Sequence, residues 1–315
     1  MLLDDAIVNL SSSIGAGIPV DKDIYYAGDA SKWLQLAYSL KARYYLHVKD
    51  YANAKVNALL GIDNPDNDLK AKFGNSYLQS FNPFYSFLVY DRDSYMSGDS
   101  YAARLLDPST TLYRGNAKTD ESARFEFTYH TGLYYFSNYE LNFQCNFDWD
   151  EGLSGKFGGD SPMPMVTYGE MLLIIAEADT RSSFLAGLNS YNAYRSLLNT
   201  GYSIGVDNSG YNGNSFQYTA YDAPDFAAGG MENAGTLSNQ NALLREIFEE
   251  RYIYLMANFE CFNDFGRSNN IAEIQLKPGF NGTPERFIYP QVEINANPNT
   301  PNPVPSIITK TPVHL

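Results

Sequence analysis

The chain has 315 residues, 44% of them apolar, and a formal net charge of −14. That apolar share supports a sizeable core and excludes wholesale disorder, while an acidic balance without a long Lys/Arg run excludes a nucleic-acid backbone as partner. No run of about eighteen apolar residues occurs, so no helix is expected to span a membrane, and the start MLLDDAIVNL lacks the basic and apolar regions of a signal peptide.

Leu2–Leu10 reads as a short helix with Leu3, Ile7 and Leu10 on one side. A loop follows over Ser11–Asp29, containing Gly15, Gly17 and Pro19. Ser31–Val48 is a strong helix, because Trp33, Ala37, Leu40 and Tyr44 recur at spacings of three and four. Asp50 is placed to cap a second helix over Tyr51–Leu60, and Gly61 to end it in a left-handed conformation. Helices joined by so short a turn form the hairpin from which helical repeat proteins are built.

Residues 61–164 have little helical period and are rich in Asn, Asp, Gly and aromatics. Such a segment inside a helical protein reads as an insertion carrying function, with short strands at Arg124–Tyr129 and Leu133–Phe136. Helical character returns at Tyr168–Thr180, which turns Met171, Leu172, Ile175 and Ala178 inward. A partner helix follows at Leu188–Asn199, closed by Gly201. Residues 201–237 form a second irregular insertion. Ser238 caps the amphipathic helix Asn241–Met256, whose inner face is Leu244, Ile247, Phe248, Arg251 and Leu255, with Arg245 and Glu249 spaced for a surface ion pair. After Ser268 the chain is Pro- and Asn-rich and is expected to run extended. The fold class is therefore mainly α: tetratricopeptide-like hairpins, large irregular insertions and a few short strands. A repeat of about 34 residues is suggested only loosely.

Several segments, in this order, resemble the SusD/RagB family of outer-membrane nutrient-binding lipoproteins. They are GDASKWLQLAYSLKARY (Gly28–Tyr44), PMPMVTYGEMLLIIAEAD (Pro162–Asp179), Glu250–Arg251 with Asp264–Arg267, and ERFIYPQVEINAN (Glu285–Asn297), the last similar to the family's closing strand-like motif. The family's ion-pair network is thinned here, with Tyr254, Asn258, Phe259 and Cys261 at positions where acidic residues, glycine or arginine are usual. The resemblance implies one SusD/RagB-like helical domain over 1–315. It also implies capture of an oligosaccharide, or in some relatives a peptide, as a lid on a SusC-like TonB-dependent transporter at the cell-surface face of the outer membrane. Attachment through a lipid anchor belongs to the resemblance alone, since neither cysteine lies near the start of these residues. The role involves no catalysis and no cofactor.

The aromatic supply agrees with a sugar ligand: 26 Tyr, 19 Phe and 2 Trp accompany many Asn residues, pairing flat apolar faces with neutral hydrogen-bonding groups. Trp33 lies on a helix core face, whereas Trp149 sits among acids in the first insertion. Trp149 is the candidate stacking platform, with Tyr134, Tyr135, Tyr139 and Asn146 around it. Tyr90, Asp93 and Tyr95 are the second choice.

The acidic residues read differently. A glycosidase needs two carboxylates roughly 5–10 Å apart across a cleft, but Glu249 and Glu250 are adjacent on a helix and diverge by about 100°. Glu250, Arg251, Asp264 and Arg267 are expected to form a structural ion network, as are Glu170 and Glu177. Asp91 and Asp93, or Asp148, Asp150 and Glu151, could offer calcium some of its about six to eight oxygens, but neither group matches an EF-hand, and solvated turns are the preferred reading. Two cysteines, Cys145 and Cys261, and three histidines exclude a Cys/His zinc site by number and spacing. The cysteines are expected to be small buried hydrophobes, a disulfide between them being unreadable from sequence. A scaffold that only caps the transporter is the alternative to a glycan-binding protein, and an enzyme is third.

Overall fold

The computed structural model describes residues 2–14, 19–76, 80–92, 96–131, 138–145, 154–205, 210–277 and 279–311. Helix α1 (Leu2–Ser13) lies along α2 (Ala30–His47). It runs three residues past its predicted end, and there the Ser11 and Ser13 hydroxyls donate back to the carbonyls of Ile7 and Asn9. Asp29 caps α2 by accepting from the Ser31 and Lys32 amides, and Asp50 caps α3 (Tyr51–Ala58) through the Asn53 amide at 3.1 Å. The tight turn between them places Lys49 at φ +62°.

Two details differ from expectation. The buried face of α2 runs through Leu36, Ser39, Ala42 and Leu46; of the predicted stripe Ala37 is buried, Trp33 and Leu40 pack partly buried beside it, and Tyr44 is 53% exposed. Spacings of three and four fit both stripes; α3 and the later helix Tyr168–Ser182 settle on the one with smaller side chains because they pack against α2 at close range. Gly61 is not left-handed. A Cβ there would come within 2.5 Å of Ser39 Oγ, so the residue is small because the Ser39 hydroxyl, which accepts the Ile62 amide, occupies the space, not because a helix must stop.

The first insertion contains β1 (Leu69–Ala71), α4 (Pro83–Ser86) running into a π-helical turn at Phe87–Asp91, α5 (Tyr101–Leu106), β2 (Thr119–Asp120), α6 (Ser122–Thr128), β3 (Tyr129–Thr131), β4 (Tyr139–Leu141) and β5 (Met163–Val166). Strands β1 and β5 pair antiparallel, as do β3 and β4, and β2 pairs with β6 (Gln217–Tyr218) of the second insertion. The strand predicted at Arg124–Tyr129 is mostly helix α6. Its alternating apolar pattern is overruled because Ala123, Arg124, Phe125 and Thr128 are all buried, with Arg124 held by a carboxylate from a distant helix. The predicted strand Leu133–Phe136 falls outside the described residues.

Helices α7 (Tyr168–Ser182) and α8 (Phe184–Leu198) form the second hairpin, and α9 (Asn239–Tyr254) and α10 (Glu260–Ser268) the third. Thr167 caps α7 and Ser238 caps α9, each through the amide three residues on. Gly201, at φ +82°, ends α8 as predicted. Helix α7 packs against α2, α3, α8 and α9, which is why Leu173, Ile174 and Ala176 are buried beside Met171 and Ala178, while Leu172 and Ile175 are only partly covered. Beyond Ser268 the chain is largely irregular, but Gln291–Ala296 forms a short helix, α11, where the resemblance implied a strand. Pro290 precedes it and starts rather than interrupts the turn.

Buried ion pairs join these layers. Arg251 on α9 binds Asp264 on α10 at 2.6 Å; Arg267 binds the same Asp264 and reaches Glu177 on α7. Arg43 on α2 holds Glu170 on α7 through bonds of 2.7 and 2.6 Å. Glu250, assigned from sequence to the first network, belongs to a second one: it meets Arg124 and Arg114, and Tyr194 donates to it at 2.6 Å. Arg114 also reaches Glu121, Glu246 and Glu249. The predicted Arg245–Glu249 pair is thus replaced: Glu249 faces Arg114, and Arg245 donates to the Glu232 carbonyl.

Candidate functional site

A cleft of about 400 Å³ opens between the first insertion and the ends of α7 and α9. It is large enough for a few sugar rings' worth of contact. A neighbouring cavity beside Phe84 and Phe157 holds only about 30 Å³, the space of about one water. The larger cleft is walled by Asp68 just before β1 and Lys70 on it, Arg124 and Phe127 on α6, Lys156 and Asp160 on the returning segment, Thr167 before α7, Tyr202 and Ile204 after α8, and Tyr254 at the end of α9.

One wall is a locked polar knot. Tyr202 donates to Asp68 at 2.6 Å, the Tyr168 amide donates to the same carboxylate at 2.7 Å, and Lys70 closes an ion pair at 3.2 Å. The Tyr254 hydroxyl lies 2.6 Å from Thr167 Oγ1 and 3.1 Å from the Tyr202 hydroxyl. A Cβ at Gly169 would sit 2.6 Å from that hydroxyl, so glycine makes room for the knot. Burial raises the Asp68 carboxyl above its ordinary range despite Lys70. It raises the Tyr202 and Tyr254 phenols as well, so both remain donors at neutral pH.

The opposite wall is pinned by backbone. The amides of Gly155, Lys156 and Phe157 donate in turn to the carbonyls of Gln144, Phe127 and Asn142 at 2.8–3.0 Å, and Phe157 is buried in the core. Lys156 is presented on this rigid rung. Burial, then the nearby Arg124 guanidinium, lowers its ammonium to about 8. Asp160 accepts from Ser154 at 2.9 Å.

The residues singled out from sequence lie elsewhere or outside the described part. Tyr139 is in the core: its ring packs against Phe125 and Tyr129, its hydroxyl donates to Asp107 at 2.7 Å, and it is 8% exposed. Tyr90 is 43% exposed on the π-helical turn and stacks parallel to Phe81 at 5.9 Å, which fixes its ring. Trp149, Tyr134, Tyr135, Asn146, Asp93 and Tyr95 fall outside the described residues, as do Asp148, Asp150 and Glu151. Sequence reasoning missed Asp68, Lys156, Tyr202 and Tyr254 as neighbours, because no local spacing links positions so far apart; Tyr254 alone stood out, as a departure from a family pattern. Cys145 and Cys261 are both free thiols. Among the described residues no His/Cys/Asp/Glu group has the arrangement of a metal site, and no helix is long and apolar enough to cross a membrane.

Three solved structures show how widely this architecture recurs. A SusD homologue from Bacteroides thetaiotaomicron is 15% identical, with a TM-score of 0.58 over 94% of this chain and 65% of its own. A second SusD homologue, from Bacteroides uniformis, is 16% identical, with a TM-score of 0.57 over 99% of this chain and 71% of its own. A chitin-binding SusD homologue from Flavobacterium johnsoniae is 18% identical, with a TM-score of 0.56 over 94% of this chain and 65% of its own. These likenesses establish the tetratricopeptide-like helical fold, and the chain spans just under two thirds of the length of the first of them. No curated protein matches the sequence. The family described as SusD-like, starch-binding and associating with the outer membrane, matches residues 1–290, and the chain belongs to it.

Proposed function

We propose that this chain is a non-catalytic binding protein for oligosaccharides, held at the cell-surface face of the outer membrane and delivering its ligand to a TonB-dependent transporter. The observation that carries the reading is the cleft of about 400 Å³ in a SusD-like fold, whose walls alternate aromatic rings with fixed donors and acceptors. Sugar rings use both: C–H faces rest on aromatics and hydroxyls bond to polar groups. The carboxylates of α7 and α9 support binding without turnover, since Glu170, Glu177, Glu246, Glu249 and Glu250 are each bonded to an arginine. Trp149, and as a second choice Tyr90, are further candidate contacts for the same ligand class. A glycan array probed with the purified chain tests the reading: retention of at least one oligosaccharide, without hydrolysis, is expected. An array on which no oligosaccharide is retained, or binding of peptides alone, overturns it. Alanine at Trp149 is expected to weaken the affinity of a retained glycan in calorimetry, and unchanged affinity removes that residue from the site.

A further inference from the structure

Charged side chains in the interior of this protein are paired, as burial requires. In the cleft, Arg124 is consumed by Glu250 through bonds of 2.8 and 3.1 Å, and Lys70 by Asp68 at 3.2 Å. Lys156 is the exception: among the described residues its ammonium makes no hydrogen bond and no ion pair, yet it lines the cleft on a backbone held at three successive amides. The groups that face it are the Arg124 guanidinium, the Glu250 carboxylate, which is already bonded to that guanidinium, and the Cys261 thiol; a desolvated ammonium there is costly unless something anionic completes it. Asp160, also in the cleft, accepts a hydrogen bond from Ser154 at 2.9 Å and is suited to accept sugar hydroxyls as well.

Resting on the glycan-binding reading above, we propose that the cleft selects an oligosaccharide carrying one isolated acidic sugar, whose carboxylate docks on the Lys156 ammonium. Charge argues for one acid rather than many. The chain's net charge of −14 repels a polyanion, whereas a single carboxylate inside the cleft meets Lys156 within a Debye length of about 8–10 Å, where the local cation dominates. The aromatic and hydroxyl-bearing walls then accommodate the neutral sugars on either side.

Calorimetry with matched probes tests this. 3′-Sialyllactose is compared with lactose, and xylotriose bearing one methylglucuronate with xylotetraose. At pH 7 at least one acidic probe is expected to bind about ten-fold more tightly than its neutral counterpart. That advantage should vanish in Lys156→Gln and shrink between pH 7 and 9 as the amine loses its proton. A trigalacturonate should bind less well than the singly acidic probe. Removing an unpaired buried charge should leave Lys156→Gln folded, which its urea midpoint checks. Equal affinity for acidic and neutral probes, an advantage that survives Lys156→Gln, or tightest binding of the trigalacturonate each overturns the proposal while leaving glycan binding intact. Absence of binding to every acidic and neutral probe here and on the array overturns the glycan-binding reading itself.

Discussion

Glu177, in the middle of α7, is clasped by Arg267 of α10 through two parallel hydrogen bonds of 2.7 and 2.6 Å. Arg267 in turn shares Asp264 with Arg251 of α9, so one chain of charge ties three helices together. The Arg267 guanidinium also lies over the Phe248 ring at 4.8 Å, which shields the clasp from water. Breaking it leaves Asp264 alone to compensate Arg251 and Arg267, or leaves Glu177 with Arg181 alone. Glu177→Gln and Arg267→Met are each expected to cost on the order of 3 kcal/mol in urea unfolding, and the double variant less than the sum of the two. Additive losses would show that the two residues do not act as a pair.

Stability should fall as the solution turns mildly alkaline. Glu232 is pushed up to about 8, first by burial and then by Glu246, and Glu249 to about 7 by burial, against the opposing pull of Arg114. Asn116, Tyr221 and Arg245 also face this acidic cluster. An acid whose folded value lies above its ordinary 4.5 binds more protons folded than unfolded, so stability falls as pH rises between 4.5 and about 8. Glu250 works the other way, held down near 2 by Arg124 and Arg114 despite burial, and contributes stability that is complete above 4.5. Lys156, lowered to about 8, changes the slope only above that pH. The urea midpoint should therefore peak near pH 5 and decline by pH 8, by an amount on the order of 2 kcal/mol. Glu232→Gln should flatten that decline, and a flat profile in the parent protein would contradict the prediction.

Gly187 lies inside α8, where alanine ordinarily stabilises a helix by about 1 kcal/mol. Here the sign should reverse. A Cβ at Gly187 would stand 2.5 Å from the Thr180 Cα and 2.0 Å from its Oγ1, and the first of these is backbone that cannot swing away. Gly187→Ala is expected to destabilise by about 1–3 kcal/mol through forced separation of α7 and α8. A raised melting temperature would show that the hairpin gives way at no cost.

The two thiols should be inert while the protein is folded. Burial pushes the Cys261 thiol up to about 12, and Cys145 is buried with its sulfur accepting the Gly159 amide at 2.7 Å. Because the thiolate is the reactive form, iodoacetamide at pH 8 should label neither in the native state and both in guanidinium. Intact mass should show two free thiols rather than a disulfide.

Local chemistry was readable in the residues alone. The caps at Asp50 and Ser238 act over three residues, so the hairpin architecture and the ordered segments that mark the family were visible without coordinates. Partner choice was not. Arg245 and Glu249 have the right spacing on one helix, yet Glu249 pairs with Arg114, 135 residues away, as the fourth carboxylate around a buried guanidinium that also holds Glu121, Glu246 and Glu250. Arg124 sits in a stretch patterned like a strand and becomes helical because Glu250 holds it from 126 residues on. The same holds for function. Aromatic abundance pointed to a sugar ligand, but it could not say that Tyr139 is core or that Lys156, among the described residues, lines a cleft without an ion pair. Hydrogen bonds along a few residues determine elements. Which charge is neutralised, and which is left facing open space, depends on segments brought together from across the chain, and only the tertiary structure decides it.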